Sequence, residues 1–218
     1  MVEAMVYVLR VGCPWRDLPW VYGPWSSVYT RWRRWCQCGL WARLLTLLAR
    51  EAQGKLRFLD ASHVKVHQDA SNPAGGQQNQ AIGHTKGGLN TKVSAWVDGR
   101  GRAVSLGLAP GQQADVCVAQ TAAHPSLRGT ITVADKGYDS DGFREWLRHW
   151  GSRSCIPPRC NRLKPAGWHR GHYRKRHKVE NLFQRLKRYR RIGTRYEKRD
   201  LYFLGFVQLA AVLDWLKN

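Results

Sequence analysis

The sequence predicts an α/β fold preceded by a small helical module, and three observations carry that expectation. Apolar residues recur at helical spacing over roughly the first 55 residues. From Leu56 short β-rich runs take over. Those runs then alternate with further helical patterns toward the carboxyl terminus. The expected division is a helical module over residues 1–54 and an α/β domain over 55–218.

Within the module, the breaker run Gly12-Cys13-Pro14 and the turn Tyr22-Gly23-Pro24 interrupt the helical pattern. Ser26 or Ser27 is expected to cap a helix carrying Val28, Trp32 and Trp35 on one stripe, with Arg31, Arg33 and Arg34 elsewhere. Gly39 ends that helix, and Leu40 to Ala52 read as the next one, rich in leucine. Arg31 and Arg34 are candidates for contact with DNA. Groove insertion and simple packing are both open readings of this module, because short helices alone do not establish a helix-turn-helix.

In the second part, Leu56 to Ala61 reads as a buried strand, and Val64 to His67 either continues it or turns back. Residues 69–88, rich in Gly, Gln and Asn, mark a loop. Leu89–Val97 and Arg102–Leu108 flank the turn Asp98-Gly99-Arg100-Gly101 and predict a hairpin. A helix follows over Asp115 to Ala123, then a strand over Thr130 to Ala134 that ends at Asp135. The Asp139-Ser140-Asp141 cluster opens a helix with Phe143, Trp146, Leu147 and Trp150 at i, i+3, i+4 and i+7. Ser152 to Ile156 reads as a further strand, Tyr173 to Arg191 as one basic helix, and Asp200 to Lys217 as an apolar helix that packs on the core. Repeats and low-complexity tracts are absent from the sequence.

Lys and Arg number 36 against 15 Asp and Glu, a net charge of +21 over 218 residues that excludes an ordinary acidic cytosolic enzyme. Hydrophobic residues make up 43%, enough to fill a core, which excludes disorder throughout. The 11 Trp, 8 Tyr and 5 Phe supply flat rings beside the cationic excess, a mixture suited to phosphate backbones and exposed bases. Nucleic acid is therefore the expected partner. No run approaches the roughly 18 apolar residues that cross a bilayer, and the start is a poor secretory signal, so a soluble intracellular chain without membrane contact is expected. The 6 cysteines are too irregularly spaced for a disulfide scaffold and read as free thiols.

Three carboxylates stand where a metal site could be assembled: Asp60 on the first strand, Asp135 at the end of a later one, and Glu180 on the basic helix. At about 100° per residue, Tyr173, Arg176, Glu180 and Lys187 fall within roughly 60° of one another, because steps of 3, 4 and 7 nearly close whole turns. Val179, Leu182, Phe183 and Leu186 form a separate stripe able to pack on a sheet, and Arg174, Lys178, Arg185 and Arg188 take the outer side. A carboxylate flanked by two cations and a tyrosine suits a place where a divalent metal and a phosphodiester meet. Ordinary i, i+4 pairing explains Arg176 with Glu180 but not the tyrosine or the strand aspartates.

The pattern Tyr173-x2-Arg176-x3-Glu180-x6-Lys187 resembles the Y-R-E-K signature of bacterial insertion-sequence transposases of the DDE class. Phe58-Leu59-Asp60-Ala61-Ser62 and Ala134-Asp135-Lys136-Gly137-Tyr138-Asp139-Ser140 are similar to the family's two aspartate segments. Gly87-Gly88-Leu89-Asn90-Thr91-Lys92 and the Gly12–Pro19 and Gly23–Tyr29 segments resemble it as well, and the likeness runs from about Tyr7 to Leu216. It implies a ribonuclease-H-like core, a mixed sheet flanked by helices, in which Asp60, Asp135 and Glu180 hold Mg²⁺, or Mn²⁺ in its place. The implied chemistry is in-line phosphoryl transfer, nicking DNA at the ends of a mobile element and joining those ends to a target strand. Lys136, Tyr173, Arg174, Arg176, Lys178 and Lys187 are then expected to contact DNA. The implied partners are terminal inverted repeats, target DNA and a second copy of the chain, in the bacterial cytoplasm at the nucleoid. The family usually carries a further helical stretch ahead of this region, so the resemblance also implies a chain shortened at its amino terminus.

Two other readings are weighed against this one. A noncatalytic DNA-binding remnant would keep the basic surface without a working assembly, and a ribonuclease-H-like nuclease would cut without joining. Cys155-x4-Cys160 with His169 and His172 is poorly spaced for zinc. Asp139 reads as a turn or cap residue, near enough to Asp135 to support it.

Overall fold

A computed structural model describes residues 1–121, 127–164 and 166–217. In chain order it contains α1 (Val2–Val11), α2 (Trp25–Gln37), α3 (Leu40–Ala49), β1 (Leu56–Val66), β2 (Gly83–Thr85), β3 (Gly88–Val97), β4 (Ala103–Pro110), α4 (Asp115–Thr121), β5 (Ile131–Val133), α5 (Asp141–His149) and β6 (Arg153–Cys155). The chain continues through α6 (Arg170–Tyr173), α7 (His177–Lys187), α8 (Arg190–Gly193), β7 (Thr194–Arg195) and α9 (Asp200–Trp215).

The strands form one mixed 7-stranded sheet. β1 is its axis. On one edge it pairs antiparallel with β3, whose far edge takes β2 and then β4. On the other edge it pairs parallel with β5 near its start and with β7 at its end, and β6 extends the sheet beyond β5. Successive side chains of β1 and β3 enter opposite faces, as a period of two requires. Phe58, Val64, Ala95 and Val97 join the large cluster formed with α1, α2, α3, α7 and α9. Leu59 and Trp96 join a smaller cluster with Ala134, Tyr138, Phe143, Leu147 and Ile156. Even-numbered residues of β1 thus face α7, which decides where Asp60 and Ser62 point.

The apolar final helix is buried on nearly every side, in keeping with its lack of a polar face. Trp32 of α2 stacks on Phe206 of α9 with ring centroids 4.1 Å apart. The close approach needs Gly205, where an added Cβ would stand 3.1 Å from the Trp32 ring. The module and the sheet therefore share one continuous core.

Several expectations are corrected. Neither Ser26 nor Ser27 caps α2: the helix starts at Trp25 after Pro24, so both serines lie in its first turn. Pro24 takes the boundary because its missing N–H costs nothing there. α3 stops at Ala49 rather than Ala52, and β2 lies within the stretch read as loop. Ala122 and Ala123, read as the end of a helix, lie outside the described residues. The single helix over Tyr173–Arg191 is instead α6, a 3₁₀ turn at Arg174–Arg176, and α7, still right-handed at each junction. It ends when Tyr189 turns extended, with ψ 115°. The outer-side placement of Lys178 and Arg185 also fails. Lys178 donates to the Gly99 carbonyl in the β3–β4 turn, and Arg185 donates to Asp214 at 2.7 Å and to the Gly101 carbonyl at 2.6 Å. Packing of α7 against that turn and α9 draws both inward, a contact no helical wheel contains.

Candidate active site

Asp60 lies midway along β1, on the face covered by α7. Its Oδ1 accepts from the Ala61 N–H at 2.8 Å and its Oδ2 from Arg176 Nη1 at 2.8 Å. Arg176 also donates through Nη2 to Glu180 Oε1, one turn further along the helical segment. One planar guanidinium thus joins carboxylates from a strand and a helix, as its forked donors allow. Asp60 and Arg176 are about one-fifth exposed, and Glu180 is more open at 46%.

Asp135 enters from the neighbouring strand. The parallel register pairs Phe58 with Val133, so Asp60 and Asp135 stand two residues beyond that pair at the same level. Alternation past Val133 and Ala134, which belong to opposite clusters, puts Asp135 on the α7 side. Its Oδ1 accepts from the Gly137 N–H at 2.8 Å, which closes the turn after the strand. Gly137 suits that turn: an added Cβ would stand 2.9 Å from the same oxygen.

The electrostatics follow from this placement. Burial raises the Asp60 carboxyl above its ordinary value; the Ala61 N–H and Arg176 pull it down without prevailing, and Asp135 pushes it further up. Burial also works against the Arg176 charge, but two carboxylates outweigh it and hold the guanidinium above its ordinary value.

Lys187 reaches back to the same strand face. Its Nζ donates to Ser62 Oγ at 2.7 Å and to the His63 carbonyl at 2.9 Å, and burial lowers its pKa. The Tyr173 ring lies 6.0 Å from the Arg176 guanidinium and packs edge-on against Trp168. Of the expected face, Arg176 and Lys187 therefore reach β1, while Glu180 joins the strand through Arg176 and Tyr173 lies beside Arg176 against Trp168. Lys136 and Arg174 are exposed. Lys178 is turned away to Gly99. Arg31 and Arg34 are exposed on α2, where they line a shallow pocket with Ser26, Ser27 and Thr30.

Sequence reasoning missed the arginines that brace the Asp135 turn. Arg159 donates to the carbonyls of Lys136 and Gly137, at 3.2 and 2.8 Å. Buried Asp139 accepts from Arg144 at 2.8 Å, from Arg162 at 2.9 Å and from the Arg159 N–H at 2.8 Å. These donors outweigh the effect of burial and lower the Asp139 pKa. No helical or strand period links residues 139, 144, 159 and 162. Ser62 did carry a signal, standing two residues from Asp60 on the same strand face.

Two family profiles match the chain. A profile described as "Transposase DDE domain" matches residues 51–215, and one described as "Putative transposase of IS4/5 family" matches residues 1–45. The chain belongs to the DDE transposase family. The mixed seven-stranded sheet flanked by helices is consistent with the ribonuclease-H-like fold of DDE transposases. Among similar proteins is a "Putative transposase for insertion sequence element IS6501" from Brucella ovis, 32% identical over 133 residues, covering 59% of this chain and 100% of the relative. An "Uncharacterized protein y4sN" from Sinorhizobium fredii is 36% identical over 70 residues, covering 32% of this chain and 56% of the relative. No solved structure matches significantly.

Transposases act on DNA, and DDE domains generally depend on divalent metal. The donor set suits such an ion in kind, since Asp60, Asp135 and Glu180 offer hard oxygen ligands. Among the described residues, no three His, Cys, Asp or Glu side chains close into a metal-binding group. Arg176 bridges two of the three carboxylates instead. No helix among the described residues is long and apolar enough to cross a membrane.

Proposed function

We propose that the chain catalyses cleavage at the ends of an insertion element and transfer of those ends to target DNA, with Asp60, Asp135 and Glu180 as its metal-binding carboxylates. The supporting observation is the meeting of Asp60 and Glu180 across Arg176, beside Asp135 on the adjoining strand. Magnesium or manganese held by these residues would supply activation of the attacking oxygen and charge stabilisation at the leaving one.

The remaining roles belong to the chain's own side chains. For the three carboxylates to share a cation, Arg176 must release at least one of them, which frees its fork for a phosphate of the scissile strand. Lys187, tied to Ser62, keeps a positive charge beside the same strand face. Lys136, Tyr173 and Arg174 border the DNA path; Arg31 and Arg34 contact the duplex backbone from α2, and Lys178 supports the site through the hairpin turn. The substrates are terminal inverted repeats and target DNA in the bacterial cytoplasm at the nucleoid, and two copies hold two element ends together.

The test incubates purified protein with supercoiled plasmid and Mg²⁺, beside Asp135→Ala. Wild-type nicking and an inactive variant are expected, and equal nicking by both rejects the carboxylate assignment. Labelled element ends then report strand joining, and cutting without joining leaves a simple nuclease.

A further inference from the structure

One peptide unit links the Asp135 carboxylate to Arg159. The Lys136–Gly137 peptide donates its N–H to Asp135 Oδ1 at 2.8 Å, and its carbonyl accepts from Arg159 Nε at 3.2 Å. The next carbonyl, that of Gly137, accepts from Nη2 of the same arginine at 2.8 Å. A peptide unit is planar, so holding its oxygen also holds the direction of its N–H. Two neighbouring units are thus set by one forked guanidinium. Gly137 joins them, and glycine has the most backbone freedom to lose, so the turn gains most from a clamp at this point.

Arg159 is itself anchored through its backbone. It follows Pro157-Pro158, whose rings fix φ, and its N–H donates to Oδ2 of buried Asp139 at 2.8 Å. Arg144 ties Asp139 to α5 and donates also to the Ile156 carbonyl, just past β6, at 2.8 Å. The Arg159 side chain is exposed, so its replacement leaves both the core and the backbone contact to Asp139 in place.

From this geometry we propose that Arg159 is a positioning residue for Asp135. By holding the Lys136–Gly137 peptide it keeps the carboxylate in the orientation it has beside Asp60, ready to receive a divalent cation. The inference rests on the reading of Asp135 as a metal-binding carboxylate and adds the residue that orients it. Removing a partner that orients a metal ligand typically lowers metal affinity by tenfold or more.

The experiment titrates Mn²⁺ into full-length protein without DNA and follows loss of the free-ion signal by electron paramagnetic resonance, for wild type, Asp135→Ala, Arg159→Ala and Arg159→Lys. Arg159→Ala is expected to bind Mn²⁺ about tenfold more weakly than wild type. Arg159→Lys keeps the charge and one donor without the fork, and is expected to fall between the two. Plasmid nicking by Arg159→Ala should need about tenfold more Mn²⁺ for half its maximal rate and approach the wild-type rate at saturation. Duplex affinity without divalent metal should be kept. Wild-type Mn²⁺ affinity in a folded Arg159→Ala overturns the inference. So does a loss of duplex affinity with Mn²⁺ binding intact, which would make Arg159 a DNA contact. Circular dichroism verifies folding; should Arg159→Ala not fold, Arg159→Lys decides, and wild-type Mn²⁺ affinity in that variant overturns the inference. A wild type that binds Mn²⁺ no better than Asp135→Ala rejects the carboxylate assignment itself, and this inference with it.

Discussion

Arg176 and Asp60 stand 116 positions apart in sequence and meet through a 2.8 Å hydrogen bond. The contact ties the helix carrying Glu180 to the central strand of the sheet. Its loss should separate the two acidic elements. Arg176→Ala is expected to lower DNA affinity and abolish nicking, with an intact circular dichroism spectrum because the sheet core does not depend on it. Wild-type nicking by this variant would remove Arg176 from the site.

Asp60 has its own pH signature. Its carboxyl is raised, so the folded chain holds that proton more tightly than the unfolded chain. The stability it contributes is fullest at low pH and declines as pH rises from the ordinary carboxylate value to the raised one. Asp60→Asn removes the buried charge and is expected to melt at or above the wild-type temperature at neutral pH, the gap narrowing in acid. Its nicking should fall to background. Calorimetry across a pH series checks the sign, and a less stable variant at neutral pH would mean that the bond to Arg176 outweighs burial.

Lys187 holds α7 to β1 through Ser62 and the His63 carbonyl. Lys187→Met keeps the stem and deletes the donors, so a loss of about 1–2 kcal/mol in urea unfolding is expected. Ser62→Ala should cost less, because the His63 carbonyl remains as a partner. Equal losses would contradict that ordering.

Arg195 is fully buried, and burial pushes its pKa down to about 10. It donates to Thr91 Oγ1 at 2.6 Å and to the Glu197 carbonyl at 2.8 Å, and it lies over the Phe203 ring. Arg195→Met strands those acceptors and is expected to cost at least about 2 kcal/mol. Chemical denaturation measures it, and an unchanged midpoint would rule out the stapling role.

DNA binding should weaken steeply with salt, each neutralised phosphate adding about 0.9 to the log–log slope. Replacing Arg31 and Arg34 together by Ala should reduce that slope by roughly two. An unchanged slope would place the duplex elsewhere.

What could be read from the chain alone was whatever repeats at a local period. The β3–β4 hairpin, the amphipathic α5 and the polar face holding Arg176, Glu180 and Lys187 are set by residues close in sequence, so spacing and turn chemistry reveal them. The motifs around Asp60, Asp135 and Glu180 also carried the family. The capping of α2 was misread because Ser26 and Ser27 match a cap as well as Pro24 matches a boundary, and sequence does not rank them. Only the fold could decide that Arg176 bridges two carboxylates, that Lys178 and Arg185 turn inward, and that Asp139 gathers three arginines. Such contacts join residues distant along the chain, and their partners are chosen by how the sheet, α7 and α9 pack, a choice that no local period encodes.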